Sequence, residues 1–416
     1  MTENKLLLIK IIVFLIYLGI VIGTEISYRD SLFKKSLMTI TEWKSDMSEA
    51  FKVFCTIIIY VGSAPGFLFL LAIIHILFPI HKSFTYLNVF LYSYYFNNLL
   101  KMIYSNPRPF WVDPNLYSSC NGGFGNPSGH SMCSAAIFLT FSHIITDFKY
   151  FSENNLRKLL RVCIFLLTVG LIIAIMISRV YLGAHSFNQI IFGSLLGVAI
   201  YLFFFNILKM HKLAGKSFFN KLIDMKIIIC SFVFYFIFLL TGILTWYFVK
   251  DNFNVYKVTV QETCPDLKRY RKFYDDGLYG VLSICGLIGA HLGLIILAYL
   301  VEKKYAEKYD CVNHWYRGRF RHYIYRILVS SVFCIPFILI YIIPGNSSLS
   351  IVFIFKVGVP YFLTFLNLYG PGIYSCIRLK ICNRNIYDTK NFHSDIEIQN
   401  NYKDLITINN SSVKFR

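Results

Sequence analysis

The sequence is poor in charged residues, and acidic residues are the scarcer kind. Charged residues make up 15% of the 416 residues, against 56% apolar residues, and the mean hydropathy is +0.55. Soluble globular proteins average about 25% charged residues. This shortage excludes disordered, collagen-like and small disulfide-bonded proteins, and it argues against an ordinary soluble enzyme. It favours a protein that lies in a membrane.

Three other patterns are missing from the sequence. It has no internal repeat, no zinc-type spacing of Cys and His, and no alternation of polar and apolar residues typical of a membrane β-barrel. Its apolar runs are apolar on all sides, as lipid-facing or buried helices are. The sequence therefore predicts an all-α fold, a polytopic membrane helix bundle, with no metal and no cofactor.

Long apolar runs are abundant. A membrane span needs about 17–25 such residues, and about ten segments qualify. The first has some features of a cleaved signal peptide, but its length favours a retained helix. Residues 25–52 follow it, and we interpret them as an interfacial helix or a short soluble linker. The candidates are Leu6–Thr24, Val53–Phe78, Phe84–Ile103, Ser131–Phe148, Val162–Ile177, Phe187–Leu208, Ile227–Phe248, Leu278–Leu300, Tyr323–Ile343 and Ser350–Leu368.

The basic residues indicate an orientation. The chain holds 41 Lys and Arg against 22 Asp and Glu, a formal net charge of +19. With ten spans, 24 of the 41 fall on the side of both termini and 14 on the other side. The positive-inside rule then predicts cytosolic termini and lumenal or extracellular opposite loops. The charge is explained without a nucleic-acid partner.

Three polar clusters fall in two of the loops on the less basic side. The first holds Lys101 and Arg108, whose spacing of seven predicts one helix face before Pro107 and Pro109 end the helix. The guanidinium group of Arg108 matches phosphate oxygens in pairs, and Lys101 adds a point charge. This cluster predicts an anion site.

The second cluster leads into the fourth span. Ser128 precedes a helix start, where unpaired N–H groups and the helix dipole attract anions. His130 adds an imidazole suited to proton transfer near neutral pH. Glycines let the backbone approach a ligand closely. They are Gly122, Gly123, Gly125 and Gly129.

The third cluster lies between the fifth and sixth spans. Arg179 offers a second guanidinium group, and His185, like His130, adds an imidazole suited to proton transfer or nucleophilic attack. Gln189, four residues later, shares the helix face of His185 and can hydrogen-bond its ring. Together the three clusters predict an anion site with two histidines.

The clusters resemble the type 2 phosphatidic acid phosphatase superfamily, which includes lipid phosphate phosphatases, glucose-6-phosphatase and vanadium haloperoxidases. The family pattern is K-x6-R-P, then P-S-G-H, then S-R-x5-H-x3-D. The chain matches every fixed position except the last, where Gln189 replaces Asp. The resemblance covers about residues 50–200 and leaves the last four spans without a recognised signature.

The resemblance implies a metal-independent phosphatase that hydrolyses a phosphomonoester through a phosphohistidine. His185 would attack phosphorus, and His130 would protonate the leaving oxygen and then activate water. Gln189 would orient His185. With the motifs inside it, we expect a six-helix phosphatase core over residues 1–210. The later apolar runs predict four extra helices over 211–378, and the Asn- and Asp-rich end predicts a flexible cytosolic tail over 379–416. The phosphate-binding residues would be Lys101, Arg108, Ser128, Gly129 and Arg179.

The substrate stays open between a lipid phosphate and glucose 6-phosphate. The residues around His185 and Gln189 are similar to glucose-6-phosphatase, whereas three spans before the first motif are typical of lipid phosphate phosphatases. The expected partners are this substrate and membrane lipid, and the sequence indicates no oligomeric state. We expect the endoplasmic reticulum or the plasma membrane as location.

Two other functions compete with a phosphatase. A transporter would suit ten spans, but transporter charges tend to lie at the membrane midplane rather than at helix ends. A catalytically weakened relative that binds phosphorylated ligands is supported by Gln189. A haloperoxidase ranks last because those relatives are soluble.

Some residues within the spans invite structural interpretations. His75, His143 and His291 are predicted to make interhelical hydrogen bonds, and the spacing of Gly289 and Gly293 predicts close helix packing. A further hypothesis is a disulfide on the proposed non-cytosolic side. It would join Cys120 and Cys264.

Overall fold

The computed structural model describes most of the chain, and all regular structure in that part is helical. The predicted all-α fold is confirmed. Cys120, Gly122, Cys264 and residues 380–416 lie outside the described residues, so the disulfide and the tail stay predictions. The described residues are 3–45, 48–116, 123–147, 155–210, 218, 221–249, 252, 255–256, 258–260, 277–304, 322–332 and 350–379.

One long helix, α1, runs from Glu3 to Ser45. At 1.5 Å per residue it is about 65 Å long, roughly twice the apolar thickness of a bilayer. The predicted break after Thr24, with a separate interfacial helix or linker, is wrong. The helix continues because neither glycine nor proline follows Gly23 within α1.

The predicted span Val53–Phe78 is two helices, α2 (Glu49–Val61) and α3 (Ala64–Leu77), bent by 49°. Gly62 ends α2, and Pro65 lies in the first turn of α3, where its missing N–H costs nothing. The bend therefore has a local cause in the sequence.

Four helices surround the motif loops. α6 packs against α4, α7 and α8, with the most extensive contact to α8. A short helix, α5, lies in the loop between α4 and α6. Their bounds are α4 Ile80–Tyr104, α5 Pro109–Val112, α6 Gly129–Thr146, α7 Asn155–Tyr181 and α8 Phe187–Leu202, which continues as a π-helical turn over Phe203–Ile207.

A second group of helices packs beside α4, which contacts both α9 and α10. Gly289 of α10 faces the carbonyl of Phe362, and Gly293 faces the carbonyl of Leu366, so the predicted close packing is confirmed. The bounds are α9 Met225–Val249, α10 Ile284–Lys304, α11 322–332, α12 Ser350–Asn367 and α13 Ile373–Arg378, which follows a π-helical turn over Leu368–Gly372.

Among the described residues, five helices are long and apolar enough to cross a membrane, and the bent α2–α3 pair would be a sixth. The chain is an integral membrane protein. α4 and α6 occupy two further predicted spans but bury many polar side chains. The number of ten spans therefore stays a prediction. The five are Asn4–Trp43, Lys158–Tyr181, Phe187–Ile207, Met225–Val249 and Gly277–Leu300.

The three intramembrane histidines bond between helices, as predicted. The pairs join α3 to α4, α6 to α8 and α9 to α10. They are His75 Nδ1 with Ser83 Oγ at 3.0 Å, His143 Nδ1 with Tyr201 OH at 3.0 Å, and His291 Nδ1 with Tyr235 OH at 3.3 Å.

Candidate active site

His185 ends the loop between α7 and α8 and is 1% exposed. Its Nδ1 lies 2.9 Å from the carbonyl oxygen of Gly125 and 3.1 Å from Oε1 of Gln189. A carbonyl oxygen can only accept a hydrogen bond, so Nδ1 carries the proton. The other ring nitrogen, Nε2, therefore keeps its lone pair and is the nucleophilic atom.

Gln189 is fixed by its own contacts. Its Nε2 donates to the carbonyl oxygen of Pro107 at 2.8 Å, and its Oε1 also accepts from the Ser186 N–H at 3.3 Å. Because the Pro107 oxygen can only accept, the amide must turn Oε1 toward His185. The predicted Gln189–His185 hydrogen bond is confirmed.

Arg108 is 2% exposed and reaches across the site. Its Nε donates to the carbonyl oxygen of Gly123 at 2.9 Å, and its Nη1 donates to that of Ala184 at 3.0 Å. Nη1 also lies 3.1 Å from His185 Nε2, to which it donates. The guanidinium group is thus held against the nucleophilic nitrogen by two backbone carbonyls.

The prediction that Lys101 and Arg108 share a helix face is wrong. α4 ends at Tyr104 because Ser105 takes the left-handed conformation, with φ 48°, so the helix stops before either proline. Arg108 instead precedes the first residue of α5. The two cations are therefore brought to the site from separate elements.

Gly125 allows the loops to meet. Its N–H donates to the carbonyl oxygen of Asn106 at 2.8 Å. A Cβ there would lie 2.5 Å from Gln189 Nε2 and 2.6 Å from the Pro107 oxygen. Only glycine fits between the motif loops at this point.

Ser128 caps α6, as the sequence predicts. Its Oγ accepts from the Ser131 N–H at 3.5 Å and from the Ser131 hydroxyl at 3.0 Å. Its N–H donates to the carbonyl oxygen of Gln189 at 2.9 Å, which ties the helix start to α8. Gly129 and His130 are the first residues of α6, at the positive end of the helix dipole.

Three cations act on both candidate catalytic histidines. Lys101 lies in the last turn of α4, and Arg179 lies near the end of α7. Arg179 is 3% exposed, and its Nε has no hydrogen-bond partner among the described residues. Together with Arg108 they surround the two imidazoles with positive charge.

Burial and these charges lower both histidine pKa values. Burial is the largest cause for His130, followed by Arg179, Lys101 and Arg108, and its pKa lies well below the usual range. The pKa of His185 also lies well below the usual range. Burial is again the largest cause, followed by Arg108, and the hydrogen bond to Gln189 partly opposes the shift. Both rings are neutral at neutral pH until an anion offsets the cations.

The donor chemistry of the site suits an anion. It offers guanidinium, ammonium, hydroxyl and backbone N–H groups, which all donate to phosphate oxygens. Within the described part of the chain, no three His, Cys, Asp or Glu side chains are grouped so as to hold a metal ion.

Sequence reasoning missed a polar network behind the motif loops. Asn126 and Asn188 both donate to Glu25, for which the sequence predicts a linker or interfacial segment. Asn97 donates to the carbonyl oxygen of Pro127 at 3.3 Å. Asn126 and Asn188 stand beside motif residues, but nothing in one sequence pairs them with a residue more than 100 positions away.

Comparisons with known proteins point to one family. The PAP2 superfamily model matches residues 82–212. Glucose-6-phosphatase catalytic subunit 1 of Rattus norvegicus is 31% identical over 123 residues, which cover 26% of this chain and 34% of the relative. Dolichyldiphosphatase of Saccharomyces cerevisiae is 26% identical over 170 residues, covering 40% and 61%.

A solved structure is also similar. It is a transmembrane PAP2-type phosphatidylglycerolphosphate phosphatase from Bacillus subtilis, 19% identical, with 50% of this chain and 98% of that chain covered and a TM-score of 0.38. The chain spans about a third of the length of the rat relative. The family-model match confirms the resemblance seen in the sequence. The match to the PAP2 superfamily model spans residues 82–212, and these residues include every site residue predicted from the sequence.

Proposed function

We propose that this chain is a membrane phosphatase that hydrolyses a phosphomonoester through a phosphohistidine at His185. One observation carries the proposal. His185 Nδ1–H is held by Gly125 and Gln189, which leaves the Nε2 lone pair beside the guanidinium group of Arg108. A nucleophile with a fixed tautomer beside a phosphate-binding cation is what phosphoryl transfer to histidine requires.

In the first step, His185 Nε2 forms a bond to phosphorus as the bond from phosphorus to the leaving oxygen breaks. His130 donates its proton to that oxygen, so the product leaves as an alcohol. The lowered pKa of His130 favours the neutral ring in the free protein. A phosphate dianion among the three cations opposes that shift and lets the ring hold the proton it must donate.

In the second step, neutral His130 takes a proton from water. The resulting hydroxide attacks phosphorus, the bond to His185 breaks, and inorganic phosphate is released. Positioned cations and N–H groups stabilise the charge on the phosphoryl oxygens in both steps. We assign that role to Lys101, Arg108, Ser128, Gly129 and Arg179.

The proposed substrate is a phosphomonoester of one of two kinds. The groups of the site recognise phosphate and do not by themselves distinguish a lipid phosphate from a sugar phosphate. The names of the relatives include both a sugar phosphatase and a dolichyl diphosphatase. We therefore propose glucose 6-phosphate or a lipid phosphate such as phosphatidate. We also propose that the site faces the lumen of the endoplasmic reticulum or the cell exterior.

A binding protein without turnover is the second candidate, and one contact favours it. Gln189 orients His185 but brings no negative charge to stabilise the imidazolium that forms on attack. Such a protein would bind vanadate, a phosphate analogue, yet release no phosphate from either substrate.

Phosphate release by the purified full chain tests the proposal. The chain would be supplied with glucose 6-phosphate or with phosphatidate in mixed micelles, and the better substrate names the class. His185→Ala should abolish release, whereas His143→Ala, which alters a half-buried histidine bonded to Tyr201, should retain it. Equal release by wild type and His185→Ala would refute the proposal.

A further inference from the structure

A single carboxylate is buried behind the motif loops. Glu25 of α1 is 5% exposed. Its Oε1 accepts from Asn126 Nδ2 at 2.7 Å and from Asn188 Nδ2 at 3.1 Å. Asn126 lies two residues before Ser128, and Asn188 lies three residues after His185. One oxygen atom therefore joins the loop that enters α6 to the helix that follows the nucleophile.

The hydrogen bonds of Glu25 are suited to holding the two segments together. A buried carboxylate is costly unless its oxygens accept hydrogen bonds. Glu25 makes no ion pair within 4 Å to any described residue, and its two hydrogen bonds go to amides. Hydrogen bonds to an ionised acceptor are roughly twice as strong as neutral ones.

α1 is docked along α8 on both sides of Glu25. Tyr17 OH donates to the carbonyl oxygen of Leu195 at 2.8 Å, and Ser36 Oγ accepts from the Phe187 N–H at 2.8 Å. The two helices run antiparallel through these contacts. The position of Glu25 is therefore set by contacts one or more turns away on each side.

We propose that Glu25 is a positioning residue of the phosphatase site, which fixes the His130 loop and the His185 loop relative to each other through Asn126 and Asn188. Glu25 touches neither candidate catalytic histidine. The inference rests on the proposed function, because the two loops carry the proposed nucleophile and the proposed acid. A displacement of about 1 Å between such groups costs about 100-fold in rate.

Three substitutions at Glu25 separate positioning from charge and from packing. Glu25→Gln keeps an oxygen at the same reach for both amides, so kcat should stay within about fivefold of wild type. Glu25→Asp keeps the charge but is one methylene shorter and cannot reach both amides. Glu25→Ala removes the acceptor. We expect kcat to fall at least about tenfold for both.

Val21→Ala is the matched control for lost packing. Val21 lies one turn earlier on α1, is 2% exposed and belongs to an apolar cluster with Met132 and Phe192. Its kcat should stay within about twofold of wild type. Thermal unfolding in detergent should show all variants folded at the assay temperature.

A double-mutant cycle adds a test that does not depend on Glu25→Ala alone. If Glu25 acts through Asn188, the Glu25→Asp/Asn188→Ala double variant should lose no more than about twice what Glu25→Asp loses. Fully multiplicative losses would overturn the inference. So would wild-type kcat in Glu25→Asp together with a large loss in Glu25→Gln, which would indicate a role for the charge. No turnover in wild type itself would instead refute the proposed function.

Discussion

Residues 82–212, which match the PAP2 superfamily model, and the C-terminal helices bury polar side chains in different ways. In residues 82–212 the candidate site residues converge at one end of the bundle, where Arg108, His185 and Gln189 are linked through loops, and only some polar groups, such as His143 with Tyr201, pair between helices. In the C-terminal helices the buried polar side chains lie singly within spans. His291 pairs with Tyr235.

This difference separates chemistry from packing. Groups that converge at helix ends lie close enough together to act on one ligand, and several of their hydrogen bonds are made to loop backbone. Groups placed singly within spans satisfy one another between helices. Arg326 of α11, fully buried, donates from Nη1 to the carbonyl oxygen of Ile76 at 3.4 Å and so joins the C-terminal helices to α3.

The two buried arginines give the largest expected contrast. Arg108→Lys removes the planar fork, so we expect kcat/KM to fall by about 10²–10³-fold, together with a stability loss of about 1–3 kcal/mol from its two lost backbone hydrogen bonds. Arg326→Lys should lower stability by a similar amount and leave the kcat of the folded protein unchanged. Steady-state kinetics and thermal unfolding in detergent measure both.

A loss of kcat in Arg326→Lys as large as in Arg108→Lys would break the comparison. It would mean that the C-terminal helices take part in the chemistry. Arg108→Ala with added guanidine provides a check, because partial recovery of rate would tie the loss to the missing guanidinium group.

Two glycines give a smaller contrast of the same kind. A methyl at Gly125 meets Gln189 and the Pro107 carbonyl, so Gly125→Ala should lower kcat by about tenfold by moving the residues that hold His185. A methyl at Gly289 meets the Phe362 carbonyl on the neighbouring helix. Gly289→Ala should cost about 1–3 kcal/mol of stability with kcat unchanged. Unchanged kcat in Gly125→Ala would contradict the site geometry.

The pH profile gives the smallest effect. The pKa values of His130 and His185 are both lowered, so the acid limb of kcat/KM should lie below about pH 6.5. Lys101→Met removes one of the cations that lower both values and should move the limb to higher pH. Lys82→Met, at the other end of α4 and paired with Asp147, should not move it.

The lowered pKa values of His130 and His185 also affect the free energy of unfolding. Below about pH 6.5 the unfolded chain binds protons that the buried imidazoles do not, so stability is lost as the pH falls from there. A fold that is equally stable at pH 7 and pH 5 would contradict the lowered pKa values. Chemical unfolding in detergent at the two pH values measures this.

The sequence predicted the local features of the site and missed those that depend on distant residues. The start of α6 after Ser128 and the bond from Gln189 to His185 follow from neighbouring residues. The end of α4 comes at Ser105, a left-handed residue that is not a glycine, two residues before the proline that the sequence offers as the stop signal. The contact of Glu25 with Asn188 requires α1 to continue past the predicted span, which apolar runs do not report.

The most direct test of the account is to locate the phosphoryl group during turnover. The full chain would be mixed with substrate labelled at phosphorus, quenched in base within milliseconds, and mapped by peptide. The account predicts an acid-labile, base-stable label on His185 that appears during turnover and is absent in His185→Ala. Turnover with no label on His185, or with the label on another residue, would contradict it.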